Sequence, residues 1–528
     1  MSGFKILSDG KVYRKMKKVY SNRDVYDGEF VDGLREGKGV MTMSNGDTYQ
    51  GEFHKDVYHG YGIFQWSPFY DDDENYFVGK RYEGEWSDGK KTGRGVFILG
   101  DGGVYSGMFL NNFYHGQGML KLANGDVIKG EFSRGRASGK ILIKYHNGDI
   151  YEGEMKSGLF DGNGSYTFND NMGSYKGNFR KGKYHGSGAR LFSDGSKYTG
   201  MFSDGHFNGD GIMFLTCGDQ YVGEWKNGKM NGQGVYKYAR GDSYEGSFLD
   251  GFAFGEGKYK YSDGGFYMGE FRNTSVHPVT EAEFPRPNGF RHGFGIRVWC
   301  NGNKYEGQWA DDRMEGRGVI TKAEGGQYEG DIWQGMRHGS GTELFGNLLH
   351  VRYCCPMGVT HGGIGFCKFI GFYKRGYFEG EGSFECFDGR TYEGGWKNGK
   401  RHGYGVQTYL KEGDEGEPTR MFIGGVGSLY RFRKYEGEWF DGIKEGDGTG
   451  TYVNGDQIIG KFAKGLPHGP CEYKFAAKKR VRFALYERGV RKKWLDNSTS
   501  NVAGLLSYLN KTRQFNSKLD AIGDKIKL

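Results

Sequence analysis

The sequence predicts an all-β protein: a meander of about 18 β-hairpins stacked into an elongated single-layer solenoid, with a short C-terminal helix. Three observations carry this. A unit of about 23 residues recurs almost end to end, as in Tyr221-Val-Gly-Glu-Trp-Lys-Asn-Gly-Lys-Met-Asn-Gly-Gln-Gly-Val-Tyr236, and periodicity of that length fixes an architecture before any local motif does. Glycine is abundant (98 of 528) and proline scarce (8), yet 16% of residues are aromatic, which sets the chain apart from collagen-like and low-complexity sequences. Each unit also splits into two short alternating runs, and Asn-Gly between such runs signals a hairpin, because a type I′ turn needs positive φ at both central residues.

The unit opens on an aromatic, continues x-Gly-Glu-Phe/Trp, and closes on Gly-x-Gly and an apolar residue. Openings fall at Tyr26, Tyr49, Tyr82, Tyr105, Ile128, Tyr151, Tyr175, Tyr198, Tyr221, Tyr244, Tyr267, Tyr305, Tyr328, Val351, Phe369, Tyr392, Tyr435 and Ile458. Val351, Phe369 and Ile458 open degenerate copies, and a remnant runs from Arg482 to Gly489. In the Tyr221 copy the runs are roughly Tyr221 to Lys226 and Gly234 to Tyr238. Links between copies read Asn45-Gly46-Asp47, Asn124-Gly125-Asp126, Asn147-Gly148-Asp149 or Asn454-Gly455-Asp456. The internal glycines would let an aromatic of a neighbouring unit lie flat on the backbone. One hairpin is marginal alone, so stacked copies must share an aromatic ladder. Its members include Tyr82, Trp86, Tyr221, Trp225, Tyr392, Trp396, Tyr435 and Trp439. At about 4.8 Å per strand, such a ribbon would span roughly 170 Å.

Tyr82-Glu-Gly-Glu-Trp86 and Tyr392-Glu-Gly-Gly-Trp-Lys-Asn-Gly-Lys-Arg-His-Gly-Tyr-Gly405 resemble MORN repeats (membrane occupation and recognition nexus), a resemblance that covers residues 26 to 471. It implies a structural or tethering role. Members of that family occur in junctional membrane proteins, in cytoskeletal scaffolds, beside lipid-kinase domains and in radial-spoke heads, and the repeat does not choose among these.

The expected domains are a basic N-terminal segment (1–25), the repeat ribbon (26–473) and a basic tail (474–528). Insertions at 67–80, 272–291 and 407–434 sit at joints or a hairpin tip, and every proline lies in an insertion or a degenerate copy. A strand proline would forfeit a ladder hydrogen bond. Irregular joints suit partner-specific contacts, since regular units present nearly the same surface each time. In the tail, Leu505, Tyr508, Thr512, Phe515, Leu519, Ile522 and Ile526 are spaced as one apolar helical stripe, to cap the ribbon, to self-associate or to enter a partner's groove.

The net charge of +8 hides a division. Residues 474–528 carry +10 and residues 1–24 carry +5, while the ribbon between has 52 basic against 59 acidic residues. Nucleic acid and anionic lipid both demand an excess of Lys and Arg. That excludes nucleic acid from the ribbon, and directs any acidic lipid to Lys478, Lys479, Arg480, Arg482, Arg491, Lys492 and Lys493. The seven cysteines are scattered, as suits a reducing compartment. No apolar run is long enough for a signal peptide or membrane span.

His59, His115, His185, His292, His338, His361, His402 and His468 share one repeat position. A catalytic or metal site needs different residues converging once, so this file reads as turn chemistry, and neither metal nor cofactor is expected. Gly446-Asp-Gly448-Thr-Gly450 lacks the Lys-Ser/Thr of a phosphate loop. Together with the resemblance to cytoskeletal and radial-spoke MORN proteins, this implies a non-catalytic scaffold or adaptor in a cytoskeletal assembly. Its partners would be cytoskeletal proteins, and its place the cytoplasm, cytoskeleton, and a ciliary or flagellar axoneme of radial-spoke type. The other reading is a membrane-apposed tether holding acidic phospholipid through its basic ends.

Overall fold

A computed structural model describes residues 4–70, 76–77, 79–273, 289–346, 367–386, 389–409 and 432–495. All regular structure among them is β-strand. The expected helix from 502 to 528 and the copy opening at Val351 lie outside the described residues.

The chain divides into two units near residue 252. In the first, strands run from Phe4–Ile6 to Ser243–Leu249, each antiparallel to the strand before it. The second runs in the same way from Phe252–Lys260 to Val490–Leu495. The insertion at 67–80 leaves this ladder intact. Val57–Gln65 pairs directly with Arg81–Ser87, and Phe69–Tyr70 pairs with Tyr76–Phe77 as a small ribbon of its own.

Two expected boundaries move. Residues 1–25 contain the strands Phe4–Ile6 and Val12–Val19, which pair onto the first repeat through Val25–Val31. The ribbon likewise continues past 473, through Leu466–Phe475, Arg480–Glu487 and Val490–Leu495. The cause is the same at both ends: a first or last hairpin with an open edge buries its aromatics only when another strand covers it. Val12–Val19 bears four lysines and arginines, and Val490–Leu495 bears three. Phe4–Ile6 covers Val12 to Arg14 of the first of these, and Val490–Leu495 is the last strand among the described residues; lysine and arginine on such terminal strands oppose further strand addition.

The Tyr221 copy shows why the motif has its spacing. Gln220–Lys226 and Lys229–Lys237 join through Asn227 (φ 50°) and Gly228 (φ 83°), a type I′ turn. The second strand starts earlier than alternation suggests, because a bulge interrupts it. Gly223 pairs with Gly234 and Trp225 with Met230, so Asn231, Gly232 and Gln233 face Glu224 alone. Gly232 (φ 71°) turns the chain there, and Glu224 accepts the Gln233 N–H at 2.9 Å. Restored register then places Gly234 beside Gly223, and the Tyr221 ring lies over both. The aromatic on the glycines is thus the unit's own tyrosine, not a neighbour's. Its hydroxyl donates to the Glu224 carbonyl at 2.9 Å.

The links between copies are hairpin loops of another kind. In Leu122 to Asp126, the Leu122 N–H donates to the Asp126 carbonyl at 2.8 Å and the Gly125 N–H donates to the Leu122 carbonyl at 3.0 Å. Only Gly125 has positive φ, and the Asn124 side chain accepts the Asp126 N–H at 3.1 Å. Asn-Gly therefore marks a hairpin here without a type I′ turn, since asparagine serves as a side-chain acceptor instead.

Candidate interaction surfaces

The aromatic face is covered by its own rings. Tyr82, Tyr392 and Tyr435 are fully buried, and Trp86, Tyr221, Trp225, Trp396 and Trp439 nearly so. Trp225 stands edge-on to both Tyr198 (5.4 Å) and Tyr221 (5.1 Å), so it bridges two copies. Trp86 (with Tyr49 and Tyr82), Trp396 (with Phe369 and Tyr392) and Trp439 (with Tyr392 and Tyr435) repeat the arrangement. The second residue after the internal turn caps the tyrosine ring. It is an aromatic stacked on the ring in some copies, as Tyr58 on Tyr49 (4.0 Å), and a cation in others, as Arg401 near Tyr392 (5.9 Å).

Lys444 occupies this capping position among Tyr409, Phe432 and Tyr435, its amine 4.9 to 5.2 Å from each ring. It forms no ion pair among the described residues. Burial, helped by Arg401, pushes its amine down to about 7. An unfolded lysine titrates near 10.4, so between these values the unfolded chain binds more protons and stability rises with pH. Lys444→Met should remove that slope and raise the melting temperature at pH 7. Melting curves from pH 7 to 9 with the same slope in both proteins would refute the assignment.

Both edges are laced by side chains whose role the sequence left open. The link aspartate accepts a backbone N–H from the next link, as Asp126 from His146 (2.8 Å), Asp219 from Ala239 (2.8 Å) and Asp456 from Ala476 (2.8 Å). The shared histidine position lies along the other edge. Where it holds glutamate, Glu36, Glu315, Glu379 and Glu445 accept an N–H of the following copy's turn, from Lys55, Gln334, Asn398 and Lys464. His59 lies in a shallow groove with Glu29, Glu36, Glu52 and His54. No group of three His, Cys, Asp or Glu among the described residues could hold a metal. His361 lies outside the described residues.

The seven basic residues read as one lipid-facing cluster are separated by the strands. Lys478 and Lys479 lie in a turn. The guanidinium groups of Arg482 and Arg491 lie 4.4 and 4.3 Å from the centre of the Trp494 ring. Lys492 pairs with Glu487 at 3.3 Å. Arg480 ends the pairing opposite Phe475, and Lys493, next to Trp494, points to the other face.

The remaining face is open to solvent, and there the copies differ. The residue after the opening aromatic is Gln50, Glu83, Lys129, Val222, Met268 or Ile370 in different copies, on one backbone frame.

The MORN repeat family model matches the chain at residues 26–48, 49–68, 82–104, 105–127, 151–172, 175–197, 221–243, 244–266, 288–304, 305–327, 328–348, 369–389, 392–409, 435–457 and 459–478. The copies opening at Ile128 and Tyr198 are unmatched, yet they form the same hairpins. Among curated proteins, human ALS2 C-terminal-like protein is 29% identical over 102 residues, 19% of this chain. Mouse alsin is 33% identical over 121 residues, 23% of this chain. The matches span only 9% and 6% of those relatives' own lengths. Among solved structures, the TCP10 domain of Danio rerio CPAP in complex with a STIL peptide aligns over 58% of this chain and 97% of its own. It does so at 12% identity and a TM-score of 0.12, too slight a likeness to carry an argument. Fifteen matched repeats take in well over half of the sequence, and the hairpins follow their register: the chain belongs to the MORN-repeat family.

Proposed function

We propose that this protein is a non-catalytic scaffold of a cytoskeletal assembly, and that the assembly is a ciliary or flagellar axoneme. MORN repeats serve protein or membrane interaction. The observation that favours a protein partner is the division of labour between the faces. The ladder rings of neighbouring copies cover one another, so the outer residues are free to differ along a constant frame. A row of unlike side chains at fixed spacing suits gripping several proteins at once. The described parts of the basic ends, which favour the tether, already have structural work as charged terminal strands, and Arg482 and Arg491 are stacked on Trp494.

A tagged full-length protein should remain with the cytoskeleton after detergent extraction and should label the axoneme of ciliated cells. Phosphatidylserine vesicles test the tether directly. Truncation at 473 would cut through the strand Leu466–Phe475, so charge should be removed by substitution instead. Under the scaffold reading, changing Lys478, Lys479, Arg480 and Lys493 to Gln leaves cytoskeletal retention intact. Release by detergent would sink the scaffold. Vesicle binding that those changes abolish, and that fades as ionic strength rises past about 0.15 M, would then establish the tether.

A further inference from the structure

Four copies place arginine at the second residue after the internal turn: Arg35, Arg291, Arg337 and Arg401. All four reach toward the next copy's turn in the same way. Nη2 donates to a backbone carbonyl there, that of Asp56 (2.7 Å), Asp312 (3.0 Å), Gly376 (3.1 Å) or Gly442 (2.9 Å). This fixes where Nη1 points, toward the side chain six residues on, which pairs across the hairpin with the opening tyrosine. In three copies that side chain is an acceptor. Arg35 Nη1 meets the Met41 sulfur at 3.6 Å, Arg337 Nη1 the Glu343 carboxylate and Arg401 Nη1 the Gln407 side-chain oxygen.

The copy opening at Tyr267 breaks the rule. Six residues after Arg291 stands Arg297, a second donor where the others have an acceptor. Its guanidinium lies 3.6 Å from the Tyr261 ring centre and 5.7 Å from that of Trp299. Arg297 is only 6% exposed, and its Nη1 is buried without a hydrogen-bond partner. Arg291 is held by the Asp312 carboxylate at 2.7 Å through Nε, while its Nη1 has no acceptor among the described residues. The neighbouring carboxylate, Asp263, accepts the Gly265 N–H at 2.8 Å and forms no ion pair with Arg297. Two guanidinium groups thus share a place built for a donor and an acceptor, and only Arg291 has an ion pair, Asp263 acting on Arg297 from beyond ion-pair distance. Met, Glu and Gln at this position in the sister copies show that the hairpin does not need arginine there. A buried cation with neither ion pair nor acceptor is costly, and one incoming carboxylate would satisfy both groups with charge-assisted hydrogen bonds.

We propose that the Arg291–Arg297 pair is a docking point for the carboxylate of an Asp or Glu side chain on a partner protein, which takes the place that Glu343 holds beside Arg337. Arg291, with a side chain 22% exposed, gives the approach from solvent. A carboxylate fits better than a phosphate because one negative charge completes the balance.

The test uses the full chain labelled with 5-fluorotryptophan, the Trp299 resonance being assigned with Trp299→Phe, and acetylated hexaglutamate as the probe. The Trp299 signal should shift saturably with peptide. Arg297→Gln and Arg297→Met copy the arrangements at Gln407 and Met41. Both should weaken that response at least tenfold while melting at or above the wild-type temperature. Any binding to the basic strands near Trp494 should persist in both variants, which separates the site from general attraction. The proposal falls if Trp299 gives no saturable response in the wild type, or if both variants respond as it does. It also falls if inorganic phosphate binds there more tightly than the peptide.

Discussion

Trp225→Ala is expected to destabilise its part of the ribbon by about 3–5 kcal/mol, the range for truncating a large buried aromatic. Trp225 is 4% exposed and packs on Tyr198, Phe207 and Tyr221 at 5.4, 5.2 and 5.1 Å. Its Nε1 donates to the Gly211 carbonyl at 3.4 Å. The cavity would open between two copies, and because repeats are coupled only through neighbours, the damage should centre on residues 198–236. Limited proteolysis followed by mass mapping should therefore place the first new cuts there. Glu224→Ala is the matched control: one residue away on the exposed face, it loses only the bond to the Gln233 N–H, about 0.5–1.5 kcal/mol. Equal protease sensitivity of the two variants would mean that the inside and outside faces are exchanged.

Gly234→Val should be comparably severe, by about 3 kcal/mol or more, since it overpacks a filled site and lifts a buried ring. A β-carbon at Gly234 would stand 2.5 Å from the Tyr221 hydroxyl oxygen and 2.6 Å from its ring. Yet Gly234 has no left-handed backbone, so the demand there is for space alone. Gly228 is the reverse case, with φ 83° and nothing within 4 Å of an added β-carbon. Gly228→Ala should therefore cost only about 1 kcal/mol, the strain of a left-handed residue with a side chain. Denaturant titration of the two variants decides the matter. If Gly228→Ala proves the more damaging, Tyr221 does not rest on the glycine pair.

The hairpins, their number to within a copy or two, and the ladder residues were legible in the sequence because each depends on its own copy and the adjacent one, and the copies recur at about 23 residues. Alternation sets which face a side chain takes, and the period repeats the answer. Turn chemistry was legible only in part. Asn227-Gly228 is a type I′ turn, whereas Asn124-Gly125 is a hairpin loop in which asparagine acts through its side chain. The dipeptide is the same, and the number of residues between paired strands makes the difference.

Four matters needed the tertiary structure, and all concern which atoms meet. The bulge opposite Glu224 breaks alternation in Met230-Asn231-Gly232, so the second strand looked shorter than it is. The owner of the ring on each glycine pair depends on that restored register. The described parts of the ends, set apart by charge as a segment and a tail, form further strands of the sheet, because an exposed aromatic ladder must be covered whatever the charge of the strand that covers it. The seven basic residues likewise separate, since a pleated strand sends successive side chains to opposite faces. Local periodicity thus determined the fold, and pairing across strands decided the surfaces from which this protein's partners must be chosen.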